Sequence, residues 1–190
     1  MRRYRVIAFF GLWMLVLMGC APSGPSLEEV LGPLSDTPTL SLRSPAFEDG
    51  DIIPDVYTCE GEDISPPLAW GDVPPDTESL ALILEDPDAP RGTWVHWVVY
   101  NIAAASRSLP EGVPAGRYLE TGVQQGKNGW SNHEYGGPCP PSGMHRYVFN
   151  LYALDTVPDL DPEETTKSDL LAAMKGHVLA WGRLMGEYRR

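Results

Sequence analysis

From Thr39 onward the chain is written as short apolar or alternating runs broken by turn residues. Residues 39–47 end at Glu48-Asp49-Gly50-Asp51, residues 80–85 end at Asp86-Pro87-Asp88, and residues 94–102 run into Ala and Ser. Residues 146–154 follow Pro140-Pro141-Ser142-Gly143. Strands separated by turns at this spacing predict an all-β domain, a sandwich or barrel. The run Trp94-Val95-His96-Trp97-Val98-Val99-Tyr100 is aromatic and β-branched throughout, so it is predicted to be a central strand buried on both faces. One segment carries a helical period. Lys167-Ser168-Asp169 offers capping residues, Leu170, Leu171, Met174, Val178 and Trp181 share one helical face, and Gly182 is the expected stop. The tail 183–188 alternates as a last strand would.

Ahead of this domain the pattern changes twice. Residues 1–19 read as an export leader: Arg2, Arg3 and Arg5 precede an uncharged apolar run from Val6 to Met18. That run is about 13 residues, roughly 20 Å of helix, short of a bilayer core of about 30 Å. It ends in Leu17-Met18-Gly19-Cys20, which resembles a bacterial lipobox, so Cys20 is expected to become the acylated N-terminus. Two or three acyl chains anchor where one would not. Residues 20–38, with Pro22, Gly24, Pro25, Pro33 and Pro38, are expected to be a flexible tether in which only residues 27–31 could turn helical. The domain proper is then 39–190, on the extracytoplasmic side of a bacterial membrane.

Composition agrees with that picture. Nineteen prolines and 19 glycines favour turns over long helices, and 43% hydrophobic residues in 190 are enough for one core. The net charge of −12 makes non-specific nucleic-acid binding improbable, since the field repels polyanions. With Cys20 lipidated, Cys59 and Cys139 remain in an oxidising compartment, and a disulfide is the simplest arithmetic, with two buried thiols as the alternative.

Three segments carry candidate chemistry. Asp86-Pro87-Asp88-Ala89-Pro90 places two carboxylates at the end of a strand, where an Asx-type turn would also fix them. His96 sits between aromatic neighbours and could equally be a satisfied core residue. Gly136-Gly137-Pro138-Cys139-Pro140-Pro141-Ser142-Gly143 is a stiff loop running into His145-Arg146-Tyr147, where donors and loop backbone could surround an oxyanion. His133 and His177 carry less weight.

Taken together, Asp86–Pro90, Val95-His96-Trp97-Val98-Val99-Tyr100-Asn101 and the Gly137–Tyr147 segment resemble the phosphatidylethanolamine-binding protein family, in its bacterial, Raf kinase inhibitor-like branch. Residues 57–68 and Gly176-His177-Val178-Leu179-Ala180 add to the likeness, which covers roughly residues 39–190. The resemblance implies two antiparallel sheets face to face, one or two short helices near the C-terminus, and a small cavity for phosphate-like and carboxylate groups. Carried over, its ligand-binding residues are Asp86, Asp88, His96, Gly137, Pro141, His145 and Tyr147, with Arg146 turned outward. A neighbouring carboxylate is expected to fix each histidine tautomer and raise its pKa. The expected function is binding of a small anionic ligand or phospholipid headgroup, without turnover, metal or cofactor. Two alternatives stand beside it: an inhibitor of a cell-envelope peptidase, less readily of a kinase, and a hydrolase or zinc site built from Asp86, Asp88, His96 and His145. No H-E-x-x-H or G-x-S-x-G sequence supports the last.

Overall fold

The computed structural model describes residues 27–190, with nothing to be said of the Glu28 side chain. The leader, Cys20 and the first part of the tether lie outside the described residues. Among the described residues, no helix is long and apolar enough to cross a membrane. The elements, in chain order, are α1 (Leu27–Leu31), β1 (Leu42–Arg43), β2 (Leu68–Trp70), β3 (Ser79–Asp86), β4 (Trp94–Ala103) and β5 (Ser108–Leu109). They continue with β6 (Gln124–Gln125), β7 (Met144–Leu154), α2 (Lys167–Met174) and β8 (Val178–Arg189).

Two antiparallel sheets result, a main one in the order β6-β4-β3-β7-β8 and a small one in the order β1-β2-β5. The main sheet is covered on both faces, which is why β3 can be Ser-Leu-Ala-Leu-Ile-Leu-Glu-Asp with every residue buried. Leu80, Leu82 and Leu84 point to the inner face, against Phe149, Leu151, Trp97 and the small sheet's Leu42, Leu68 and Trp70. Ala81 and Ile83 point outward to a second core with Tyr100, Tyr152, Leu154, Leu170, Leu171 and Met174. The period of two thus sorts one strand between two cores.

Three elements differ from the sequence pattern, the first being the 39–47 run, of which only Leu42–Arg43 is strand. The strand starting at Trp94 is not central, because only the two-residue β6 lies beyond it and β3 takes the middle of the sheet. The late helix is also shorter than its apolar period. Thr166 caps it in a reciprocal capping box with Asp169, but it ends at Met174, and Gly176 at φ +83° turns the chain. Val178 and Trp181 belong instead to β8, a 12-residue strand paired with β7 from Met144↔Arg189 to Leu154↔Val178. The ladder to β7 outcompetes further helix once the glycine has broken it.

The N-terminal segment rests on this outer layer. Leu27, Val30, Leu31 and Leu34 pack against the second core, so the helical stretch of the tether is laid down on the domain. A buried ion pair, Lys167 Nζ to Glu85 Oε2 at 2.6 Å, joins α2 to β3 on the same face.

Candidate ligand-binding site

The site forms where three adjacent strands end. β3 delivers Asp86, β4 delivers His96, and β7 delivers His145 and Tyr147. Asp86 continues the inward row of Leu82 and Leu84, and Tyr147 belongs to the same inner core. His96 needs a device to join them, because Trp97 already points inward and strict alternation would send its neighbour outward. The β3–β4 register supplies it: Leu84 faces Trp97 while Glu85 faces Val95, leaving His96 as the extra residue of a bulge. A bulge re-aims a side chain at the cost of one ladder position.

His96 is 3% exposed. Its Nδ1 donates to the Gly136 carbonyl at 2.6 Å, so the nitrogen left for a ligand is Nε2. Burial pushes the His96 pKa below its ordinary value, opposed by the Gly136 carbonyl and by the Asp86 and Asp63 charges. This corrects the expectation of a carboxylate partner and a raised pKa. The imidazole is held by a carbonyl and rests neutral. Tyr147 meets His96 edge to face at 5.2 Å, and Trp130 does so as well, also at 5.2 Å. The Tyr147 hydroxyl is buried without a well-formed hydrogen bond among the described residues, and burial, with Asp86 nearby, raises its pKa against a weaker opposing pull from the Cys139 backbone.

Asp86 is held at both oxygens. Oδ1 accepts from the Asp88 backbone N–H at 2.8 Å, and Oδ2 accepts from His145 Nδ1 at 2.7 Å. His145, 7% exposed, therefore acts through Asp86 and orients it, as the carboxylate–imidazole expectation had it. Asp86 and His96 share the wall of a cavity of about 250 Å³ with Trp94, Trp130, Pro141 and Cys139.

The loop from Gly136 closes the far side. A Cβ on Gly136 would stand 2.5 Å from the Trp130 ring, and one on Gly137 would stand 2.5 Å from both Asp63 Oδ1 and the Tyr57 carbonyl. Only glycine lets the loop approach so closely. Gly137 spends its N–H on Asp63 Oδ1 at 2.6 Å and does not line the cavity. Cys139 lines it and is bonded to Cys59, so the disulfide pins this loop to the segment after residue 57.

Asp88 is the sequence-predicted residue that the structure takes away. Its carboxylate grips Arg146 twice, Oδ2 from Nε at 2.8 Å and Oδ1 from Nη2 at 2.6 Å, and also accepts the Arg146 backbone N–H. That guanidinium holds the Asp88 pKa at about 2. Arg146 is turned outward as expected, and Asp88 goes with it. Among the described residues, no three His, Cys, Asp or Glu side chains are grouped to hold a metal ion.

Sequence reasoning overlooked three contributors. Trp94 and Trp130 stack edge to face at 5.3 Å and build the aromatic rim, and Arg91 lines the cavity as an exposed cation. Arg91 makes no ion pair among the described residues, which leaves its charge available. Its position directly after Asp86-Pro87-Asp88-Ala89-Pro90 was the signal.

Fold and cavity together define a two-sheet β-sandwich with a small, largely apolar pocket at its strand ends into which Asp86, His96 and Arg91 bring the polar groups. The family model for phosphatidylethanolamine-binding protein matches residues 43–189, and the chain belongs to that family. A UPF0098 protein of Methanothermobacter thermautotrophicus is 54% identical over 151 residues, covering 80% of this chain and 99% of the relative. Among solved structures, a phosphatidylethanolamine-binding protein homologue from Chlamydia trachomatis matches at TM-score 0.73 and 44% identity. Escherichia coli YbcL, described as a new member of the mammalian family, matches at TM-score 0.73 and 30% identity. In each case the match covers 80% of this chain and 98% of the other.

Proposed function

We propose that this protein is a membrane-tethered, extracytoplasmic binding protein for small oxyanions that also bring a hydrogen-bond donor, such as a phosphomonoester or the ethanolamine phosphate headgroup, and that it does not turn them over. The observation that carries this reading is the pairing of Asp86 with a neutral His96 on one cavity wall. Asp86 can only accept hydrogen bonds, and His96 presents a lone pair at Nε2 because Nδ1 is committed to Gly136. A bare dianion would meet two acceptors. A ligand with a P–OH or an ammonium would satisfy them, while its anionic oxygens turn towards Arg91 at the rim. Selectivity follows chiefly from His96, since a ligand without the donor leaves its Nε2 lone pair unanswered, whereas both Asp86 oxygens already accept one hydrogen bond.

The tether rests on the Leu17-Met18-Gly19-Cys20 signal. Changing Cys20 to Ala is expected to release the protein from membranes on fractionation, and retention would overturn that half of the reading. For the pocket, calorimetry at about pH 8, where the phosphate keeps almost no proton, with phosphoethanolamine and phosphocholine is decisive, because the quaternary ammonium has no N–H to give. Binding is expected for phosphoethanolamine, weakened about tenfold or more for phosphocholine and in His96→Gln. Equal affinities, or no heat from phosphoethanolamine, would overturn it.

A further inference from the structure

We propose a second binding site, on the outer face of the main sheet, for a small apolar molecule headed by a carboxylate. It does not rest on the reading above, since it lies on the opposite face of the sheet from His96.

A cavity of about 460 Å³ sits between the outer face of β7 and β8 and the N-terminal segment, with Leu27 and Leu34 on one side and Val148, Asn150, Tyr152 and Trp181 on the other. Two N–H donors belong to that wall. Asn150 is 4% exposed and its Nδ2 has no acceptor among the described residues, and the Trp181 Nε1 is likewise buried without one. The β7–β8 register sets Asn150 opposite Arg183 and Tyr152 opposite Trp181, so both donors come from neighbouring rows of one ladder. Proteins nearly always answer buried N–H groups, and two unanswered on one cavity wall point to an acceptor supplied from outside.

Charge selects which acceptor. Lys167 neutralises Glu85 on this wall at 2.6 Å, and Asp88 neutralises Arg146 at 2.6 Å. Arg183, exposed at the cavity's edge, makes no ion pair among the described residues. One uncompensated guanidinium beside two neutral donors fits a monoanion with two oxygens. A phosphate dianion would bring more charge than Arg183 offsets, close to Glu85 and with Glu187 beside Arg146. Leu27, Pro33, Leu34, Pro87, Val148 and Tyr152 give the wall an apolar stretch that suits a hydrocarbon body.

Titration of the purified full-length protein with octanoate, followed by calorimetry and tryptophan fluorescence, tests this. Octanoate is expected to bind, and octanol, which keeps the tail and loses the carboxylate, to bind at least about tenfold more weakly. Arg183→Gln is expected to weaken octanoate about tenfold and Trp181→Phe, which keeps the ring and removes the N–H, about fivefold. Both changes leave the fold intact, because Arg183 is exposed and phenylalanine retains most of the indole's packing. His96→Gln should leave octanoate affinity unchanged, so failure of the phosphoethanolamine reading and failure of this one are distinguishable. Equal affinity for octanol, no effect of Arg183→Gln and Trp181→Phe, or loss of octanoate binding in His96→Gln would each overturn the proposal.

Discussion

On the inner face of the main sheet Asp86 is 4% exposed, with one oxygen on a backbone N–H and the other on His145. Two residues further on, across the same sheet, Asp88 stands 29% exposed and grips the Arg146 guanidinium in the open. Both are aspartates of one Asp-Pro-Asp turn. The inner one is surrounded by groups that depend on it, because nothing else can answer the buried His145 N–H. The outer one has water as an alternative partner, so its two strong hydrogen bonds add little net stability even though they hold its pKa at about 2. The contrast extends beyond the turn. The inner face ties Asp86, His145 and His96 into hydrogen bonds and leaves the Tyr147 hydroxyl over, while the outer face leaves two N–H donors, Asn150 Nδ2 and Trp181 Nε1, without acceptors among the described residues.

The covalent tie should give the largest difference between the two faces. Cys59 and Cys139 are 80 residues apart, so replacing both with Ser should cost about 4 kcal/mol by loop entropy, read as a drop in the unfolding midpoint. The loss should reach the pocket too, since Cys139 and Pro141 line it, and phosphoethanolamine binding should weaken with it. A variant as stable as the parent would show that the inner wall needs no staple.

The turn itself gives the next effect. Asp86→Ala leaves the His145 N–H and the Asp88 backbone N–H buried and unanswered, an expected loss of about 3 kcal/mol in urea unfolding. Asp88→Ala is expected to cost about 1 kcal/mol or less. Equal costs would break the comparison.

The smallest effect is in pH dependence. The His96 pKa is lowered in the folded state from 6.5, so above that pH the residue is neutral in both states and contributes no slope. As pH falls below 6.5 the unfolded chain takes up the proton before the folded one, and stability declines. Unfolding curves between pH 7 and pH 5 should therefore slope more gently in His96→Gln than in the parent. Identical slopes would mean that His96 charges freely in place.

Much of the fold was legible because it is written in local terms. Residues 80–85, 94–102 and 146–154 announce strands by composition and spacing, and all three lie within observed strands. The helix was misjudged at its end because Val178 and Trp181 fit a helical face as well as a strand, and only pairing with β7 decides between them. Short strands such as β2, β5 and β6 carry too few residues to show a period.

The site divides in the same way. Residue types and order drew attention to Asp86, His96 and the His145-Arg146-Tyr147 run, and the family resemblance chose among them. What the sequence could not say is which way each points. Asp86 and Asp88 look alike in one dimension, and the side of the sheet each reaches depends on which strand end it leaves and what lies across from it. Nor does any local pattern mark the register shift opposite Leu84 that turns His96 inward, since a bulge is a property of two strands. The chain by itself determined the chemical inventory and the strands that carry it, through periodicity and composition. The tertiary structure alone decided its orientation, through register and burial, which are set by partners far away in sequence.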